Sequence, residues 1–351
     1  MSRSADDTRR TRAGEELPVE KLDAWLKQNI PALSGSPEIT QYTGGASNWT
    51  YRLKYPSHDL VLRRPPAGTK ATSAHDMKRE FFIQKALMPF YPVPQMLAFC
   101  NDRNVLGCDF YVMQRVDGII LRGNLPQGIS LSETDARALC INAIDTLINL
   151  HSIDIEESGL SSFSKGAGYT QRQVNGWGDR FAKAKTWNVP SCKFVIRWLK
   201  ENIPQKENLC MIHNDYRLDN LILSRENIFS IQGVLDWEMA TIGDPLMDLG
   251  NSLAYWVQRD DDFVFRKFRR QPTHLPGMLK RKEVIAYYCE KTGHHTDDFK
   301  FYEVFGLFRL AVIVQQIYYR YHHGQSRNKA FKTFWFMVHY LNWRCKKIIK
   351  R

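Results

Sequence analysis

The residues best placed to do chemistry lie in one short stretch. His213, Asp215 and Asn220 sit between the apolar runs Cys210-Met211-Ile212 and Leu221-Ile222-Leu223. A second polar kernel, Asp236-Trp237-Glu238, ends the run Val234-Leu235, which reads as a strand. The set comprises a carboxylate on a tight loop, Asp215, an amide oxygen at Asn220 and a strand-borne carboxylate at Asp236. Mg²⁺ takes hard oxygen ligands and usually only one or two protein carboxylates. Asn220 is uncharged, so it can share an ion with Asp236 without adding repulsion. Phosphoryl transfer asks for positioning and charge stabilisation, with a carboxylate to accept or orient the proton of an attacking hydroxyl. Asp215 fits that role. His213 is expected to pack beneath the loop and hold its backbone rather than act as a base. Glu238 and Arg217 are candidate contacts to metal or substrate. An N-cap at Asp215 or Asp219 would account for one Asp, but not for the spacing of the whole set.

That spacing, His-x-Asp-x-x-x-x-Asn, is the spacing of the protein-kinase catalytic loop, and Asp236 stands where kinases carry their second metal-holding Asp. In kinase-like folds an Asp placed like Asp248 braces the catalytic loop. Asp244, before Pro245, reads as a turn residue.

The elements that must position these groups fall into two kinds. Glu38–Tyr42 and Trp49–Leu53 read as strands joined by Thr43-Gly44-Gly45-Ala46-Ser47-Asn48. The small residues would let backbone N–H groups approach a phosphate; a plain hairpin turn is the other reading. Leu60–Arg64 is a strand carrying Arg63 and stopped by Pro65-Pro66. Asp76–Met88 reads as a helix whose apolar residues, Met77, Phe81 and Met88 with Phe82, Ile83, Ala86 and Leu87, are broad enough to pack on more than one side. Glu80 lies within it. Strands Met96–Cys100 and Asp109–Gln114 follow, and composition shifts between Gln114 and Gly118. Beyond that point the chain is mainly helical. The pattern predicts an α+β chain: polar, disordered residues 1–16, a β-rich nucleotide-binding part at 17–115, and a helical catalytic and substrate-binding part at 116–351.

Bulk composition narrows the function. The chain has 351 residues, 43% hydrophobic and 25% charged, as in a globular protein, with a net charge of +12. A basic balance suits acidic partners such as nucleotides or CoA-bearing small molecules. No nucleic-acid motif accompanies the basic clusters at 266–270 and 344–347. Seven cysteines without a C-x-x-C pair read as reduced thiols. The N-terminus has no apolar signal core, and the longest apolar candidate, Val304–Val314, is interrupted by Arg309. A cytoplasmic protein without membrane insertion is expected. Phe331, Phe334, Trp335, Val338, Leu341 and Trp343 are expected to pack in the last core helix.

The chain resembles the aminoglycoside phosphotransferase family, in particular the branch found alone in bacteria and fused to acyl-CoA dehydrogenases in animals. The resemblance rests on the loop and strand motifs above, with Arg172-Gln173-Val174, Asp236 to Pro245 and Leu253-Ala254-Tyr255-Trp256. It implies a two-lobed protein-kinase-like fold, with a small β-rich N-lobe and a larger helical C-lobe, that uses ATP and Mg²⁺. Gly44, Gly45, Ser47 and Asn48 would cover the phosphates. Arg63, in the place of the usual Lys, would contact them and pair with Glu80. Gln114 to Val116 would offer hinge backbone to adenine, Asn220 and Asp236 would hold the metal, and Arg172 would meet substrate. Asn214 replaces the family's Gly, which requires a left-handed or extended backbone there. The branch implies a hydroxyacyl-CoA acceptor phosphorylated on a 4-hydroxyl. An aminoglycoside, choline-like or sugar hydroxyl is the alternative acceptor. A non-catalytic nucleotide-binding scaffold is the alternative class, disfavoured by the intact Asp215, Asn220 and Asp236.

Overall fold

The structure, a computed structural model, describes residues 8–43, 48–66, 76–295 and 299–351. Two compact units emerge. The first gathers the chain up to Thr146, with Glu156–Leu160 and Leu218–Ala240; the second gathers Leu147–Ile155, Ser161–Arg217 and Thr241–Arg351.

In the first unit the elements begin β1 (Thr8–Arg9), α1 (Val19–Asn29), β2 (Glu38–Tyr42), β3 (Trp49–Lys54), β4 (Asp59–Arg64), α2 (Met77–Leu87), β5 (Met96–Cys100), α3 (Arg103–Leu106) and β6 (Phe110–Gln114). The strands form one antiparallel sheet in the order β1-β2-β3-β4-β6-β5. Strand side chains alternate between faces, and this sheet uses both. Leu60 and Leu62 of β4, with Phe110 and Val112 of β6, join Leu22 and Leu26 of α1 in one core. Val61, Tyr111 and Met113 join Met77 and Phe81 of α2 in another. The same alternation puts Arg63 on the α2 face. Asp76 caps α2 by accepting from the Arg79 N–H at 2.9 Å.

Two expectations need correction here. Phe82 and Met88 are 39% and 37% exposed, so α2 buries one broad face, through Glu80, Phe81, Ile83, Gln84 and Leu87, and leaves these two apolar groups outside it. Within the segment read as disordered, residues 8–16 carry definite pairing. Thr8 and Arg9 pair with Tyr42 and Gln41, the Arg12 N–H donates to Gln41 Oε1, and the Tyr51 hydroxyl donates to the Glu15 carbonyl. Backbone pairing with a sheet edge needs no apolar side chain, so composition did not signal it.

The remaining elements are α4 (Glu133–His151), α5 (Tyr169–Ala184), α6 (Lys193–Glu201), β7 (Cys210–Ile212), β8 (Leu221–Leu223), β9 (Ile231–Val234), β10 (Thr241–Gly243), α7 (Pro245–Ala254), α8 (Phe263–Lys267), α9 (Arg281–Thr292), α10 (Phe299–His322) and α11 (Phe334–Ile349). The hairpin β8–β9 belongs to the first unit, and the pair β7–β10 to the second.

The second unit is built on α10, which packs against α5, α6, α7 and α11. Helices α7 and α10 cross where two glycines meet. A Cβ on Gly250 would lie 2.5 Å from the Tyr302 carbonyl oxygen, and one on Gly306 would overlap the Gly250 carbonyl. This close crossing aligns the polar residues of α7 with Arg309 of α10. In α11 the buried stripe is Val338, Leu341, Cys345 and Ile348, spaced by three or four residues, with Met337 beside it. Trp335 and Trp343, expected inside, are 39% and 51% exposed because they lie off that stripe. All seven cysteines are free. Among the described residues no helix is long and apolar enough to cross a membrane.

Candidate active site

The first unit assembles a charged cluster around Arg63. The sheet's pleat aims Arg63 at α2, where its Nη1 stands 2.8 Å from Glu80 Oε1. Glu80 is 2% exposed and also accepts the Tyr111 hydroxyl at 2.9 Å. Burial pushes the Glu80 carboxyl upward, opposed by the Arg63 charge. Burial also works against the Arg63 guanidinium, but Glu80, Tyr111, Asp236 and Glu238 outweigh it and hold Arg63 firmly protonated. The other end of Arg63 reaches the second polar kernel: Nη2 lies 3.3 Å from Asp236 Oδ1 and 3.7 Å from Glu238 Oε2. Asn48, 2% exposed, donates from Nδ2 to Glu238 at 3.1 Å. Gly44, Gly45 and Ser47 lie outside the described residues.

Hairpin register places Asn220 and Asp236 at the same end of one hairpin. Leu221 pairs with Val234, and the Leu235 N–H donates to the Asn220 carbonyl at 2.9 Å. Asn220 therefore faces the residue before Asp236. Asp236 adopts a left-handed backbone, φ 71°, which breaks the strand and turns its carboxylate out of the ladder. Among the described residues no cluster of three or more His, Cys, Asp or Glu side chains could hold a metal. An amide and one or two carboxylates remain, a hard-oxygen set that fits Mg²⁺ with water completing its shell. Among the described residues Arg63 Nε is buried without a hydrogen-bond partner, a spare donor consistent with an anionic ligand. At the end of β6, the Gln114 N–H bonds the Gln95 carbonyl at 2.8 Å and the Arg115 N–H bonds the Asp59 carbonyl at 2.9 Å. The backbone of Val116, by contrast, makes no hydrogen bond among the described residues.

The second unit fixes the loop that carries Asp215. Asp248, fully buried at the start of α7, accepts the backbone N–H groups of His213 and Asn214, each at 2.7 Å. Asn214 is left-handed, φ 65°, the conformation its replacement of glycine requires. Its side chain is held by Tyr169 and Asn251, with Nδ2 donating to the Tyr169 hydroxyl at 3.1 Å and Oδ1 accepting from Asn251 at 3.1 Å. Arg309 donates to the Asn214 carbonyl at 2.8 Å. The Asp215 N–H donates to His213 Nδ1 at 3.2 Å, so the buried His213 braces the loop through its ring. Arg217 Nη2 approaches Asp215 Oδ2 at 3.3 Å while its guanidinium packs 4.6 Å from the Tyr255 ring centroid.

The same unit shows what sequence reasoning missed. His151 bridges Asp248 and Tyr288, at 3.2 Å and 2.7 Å. Burial opposes the Asp248 charge, yet His151 and the loop amides bring its carboxyl below the usual range. Tyr169, Asn251 and Arg309 complete the clamp. Arg172, a candidate substrate contact, bonds the Gly166 and Ala167 carbonyls on an exposed turn.

One unit with a β-sheet whose helix-borne Glu80 pairs with strand-borne Arg63, and a second, helical unit that clamps an Asp-bearing loop, are the two parts of the protein-kinase-like class of folds. Solved structures agree. The chain matches a provisional aminoglycoside phosphotransferase from Ralstonia eutropha at TM-score 0.78 and 30% identity, covering 95% of this chain and 99% of that one. Choline kinase from Cryptosporidium parvum shares the fold at TM-score 0.62 and 15% identity, over 93% and 95% of the two chains. So does an ADP-bound aminoglycoside phosphotransferase, APH(2'')-Ib, at 0.56 and 18%, over 93% and 98%.

The chain belongs to the phosphotransferase enzyme family, whose model matches residues 38–284. Family and fold together define the domain as a small-molecule phosphotransferase. Acyl-CoA dehydrogenase family member 10 of Mus musculus is 36% identical over 324 residues, 91% of this chain and 30% of that protein. The human acyl-CoA dehydrogenase family member 11 is 34% identical over 90% of this chain and 41% of its own length. The chain thus spans less than half of the curated relatives it matches.

Proposed function

We propose that the domain transfers the γ-phosphoryl group of ATP, with Mg²⁺, to a hydroxyl of a hydroxyacyl-CoA. The observation that carries the reading is the charged cluster around Arg63. Asn220 and Asp236 share one hairpin with the Arg63–Glu80 pair close by, and Asp215 precedes Asn220 by five residues on a clamped loop. Bound Mg²⁺ would neutralise phosphate charge; Asn220 and Asp236 would hold it, and Glu238 stands beside them. Arg63 would meet the α- and β-phosphates, fixed in direction by Glu80. Asn48 orients Glu238 and lies next to the segment expected over the phosphates. The backbone of Val116, with Gln114, suits adenine. Asp215 would take the acceptor's proton, with Arg217, 3.3 Å from its carboxylate, helping to direct it.

Similarity to the acyl-CoA dehydrogenase relatives supports the CoA acceptor, as does the basic balance of the chain. Polycationic aminoglycosides favour acidic pockets instead. A coupled ADP-release assay with ATP and Mg²⁺ decides the point. Turnover with 4-hydroxyacyl-CoA and none with kanamycin, choline or sugars is expected. The reverse preference would refute the CoA acceptor. No ADP release with any acceptor, and no thermal stabilisation by Mg²⁺–ATP, would favour a non-catalytic protein.

A further inference from the structure

The second unit contains a groove that this scheme does not use. It has a volume of about 440 Å³ and is lined by Arg180, Lys183 and Ala184 of α5 and by Gln316, Tyr319 and Arg320 of α10. Among the described residues three cations line it and no carboxylate does. Among the described residues, Arg180, Lys183 and Arg320 form no ion pair. An unneutralised cationic groove is a standing attraction for an anion. Two guanidiniums, Arg180 on α5 and Arg320 on α10, add a preference for the oxygens of a phosphate, which a guanidinium can bind in pairs. Tyr319 supplies an aromatic wall and is itself seated on His323, with ring centroids 4.2 Å apart.

The groove is joined to the Asp215 loop by a short run of contacts within the same unit. Arg180 packs on the Trp177 indole, 4.6 Å from its centroid, and Arg309 packs on the same ring at 5.0 Å. Arg309 is the residue that donates to the Asn214 carbonyl, one residue before Asp215. Desolvation and the Arg309 charge both act against the Arg180 guanidinium, so a bound anion would relieve the local field.

We propose that this groove is an acceptor-side phosphoanion subsite that takes the phosphorylated nucleotide end of a CoA-type acceptor. The proposal deepens the hydroxyacyl-CoA reading and rests on it for the identity of the ligand. It assigns Arg180, Lys183 and Arg320 to the CoA phosphates and Tyr319 to the flank of the base, where aromatic rings favour stacking. Binding strength should therefore follow the phosphates and not the acyl chain.

The test uses the full chain saturated with Mg²⁺–ADP, so that the ATP site is filled, and titrates adenosine 3′,5′-bisphosphate by calorimetry. The expected result is binding that weakens at least about tenfold in Arg180→Gln/Lys183→Gln/Arg320→Gln, since one lost charge-assisted contact already suffices for that. Lys282→Gln, a charge change elsewhere on the unit, is expected to leave it alone. The single variant Lys183→Glu serves if the triple variant does not fold. Equal affinity in wild type and variants overturns the subsite, and so does inorganic phosphate binding as tightly as the bisphosphate. Kinetics separate this from the wider reading. Wild type should show a KM for a hydroxyacyl-CoA at least about tenfold below that for the phosphate-free hydroxyacyl-pantetheine, and the triple variant should close that gap. Equal KM values with active turnover sink the groove and leave the hydroxyacyl kinase standing. No phosphorylation of either thioester, with bisphosphate binding still lost in the variants, sinks the kinase reading and leaves the groove.

Discussion

Arg309 donates from Nη2 to the carbonyl oxygen of Asn214 at 2.8 Å, across 95 residues of sequence. The buried guanidinium ties the middle of α10 to the loop just before Asp215 and packs its face on Trp177. A loop held by Asp248 from one side and Arg309 from the other has little freedom to move its carboxylate. Arg309→Met keeps the bulk and removes the donor. A misplacement of the catalytic group by an ångström can cost about a hundredfold in rate. The variant is expected to lose activity in kcat on roughly that scale while its affinity for Mg²⁺–ADP, measured by calorimetry, stays the same. Undiminished kcat would show that the bond does not position the loop.

Asp248 sets an acid limit. Its folded-state carboxyl lies below the usual value of 3.8. Its stabilisation is therefore present above the unfolded value and is lost as pH falls through the lower, folded one. Asp248→Asn leaves the two loop amides a single amide oxygen. A loss of about 2–4 kcal/mol at pH 7 is expected from such charge-assisted bonds, read by urea unfolding. The gap between variant and wild type should narrow once the pH drops below about 4; a constant gap at every pH would contradict the assignment.

Asp244 acts in the opposite sense. Burial pushes its carboxyl from 3.8 up to about 6, although it caps α7 through the Leu246 and Met247 amides at 2.9 Å and 3.1 Å. Between those two values the folded state holds a proton that the unfolded state has released. Stability from this group therefore falls as pH rises through the window, and the penalty is complete above about pH 6. Asn caps helices as well as Asp. Asp244→Asn should gain on wild type between pH 4 and pH 7, by at most about 3 kcal/mol. Melting curves across that range check it, and a gain that shrinks with pH would refute it.

The glycine crossing of α7 and α10 makes a packing prediction. Gly306→Ala would drive its methyl into the Gly250 carbonyl. Overpacking of this kind costs about 1–3 kcal/mol. It would also shift Asp248 and Asn251 relative to Arg309, so lower kcat should accompany the lower Tm. A variant as stable and active as wild type would mean that the helices can separate freely at this point.

How much of this was legible in the sequence follows the distance over which each signal acts. The β3–β4 strands and helix α2 are local patterns, and they lie within a residue or two of where periodicity puts them. The Arg63–Glu80 pairing was implied by the family resemblance, and the two side chains stand 2.8 Å apart. Asn214 was constrained by replacing a glycine, and its φ of 65° meets that constraint. His151, Tyr169, Asn251 and Arg309 could not be found in this way. Their partners are 34 or more residues away, and nothing in their own neighbourhood distinguishes them from helix-face polar residues. The nearest thing to a signal was Arg309 itself, a lone cation inside an apolar helix, which needed a polar partner once buried.

The most direct test of the account is single-turnover phosphorylation of 4-hydroxyacyl-CoA by wild type and Asp215→Asn, with Mg²⁺–ADP affinity measured on the same preparations. General-base assistance contributes about 10²–10⁴ in rate. The account predicts a fall of that size for Asp215→Asn with nucleotide affinity and melting temperature unchanged. Turnover within a few-fold of wild type would contradict it and remove Asp215 from the reaction.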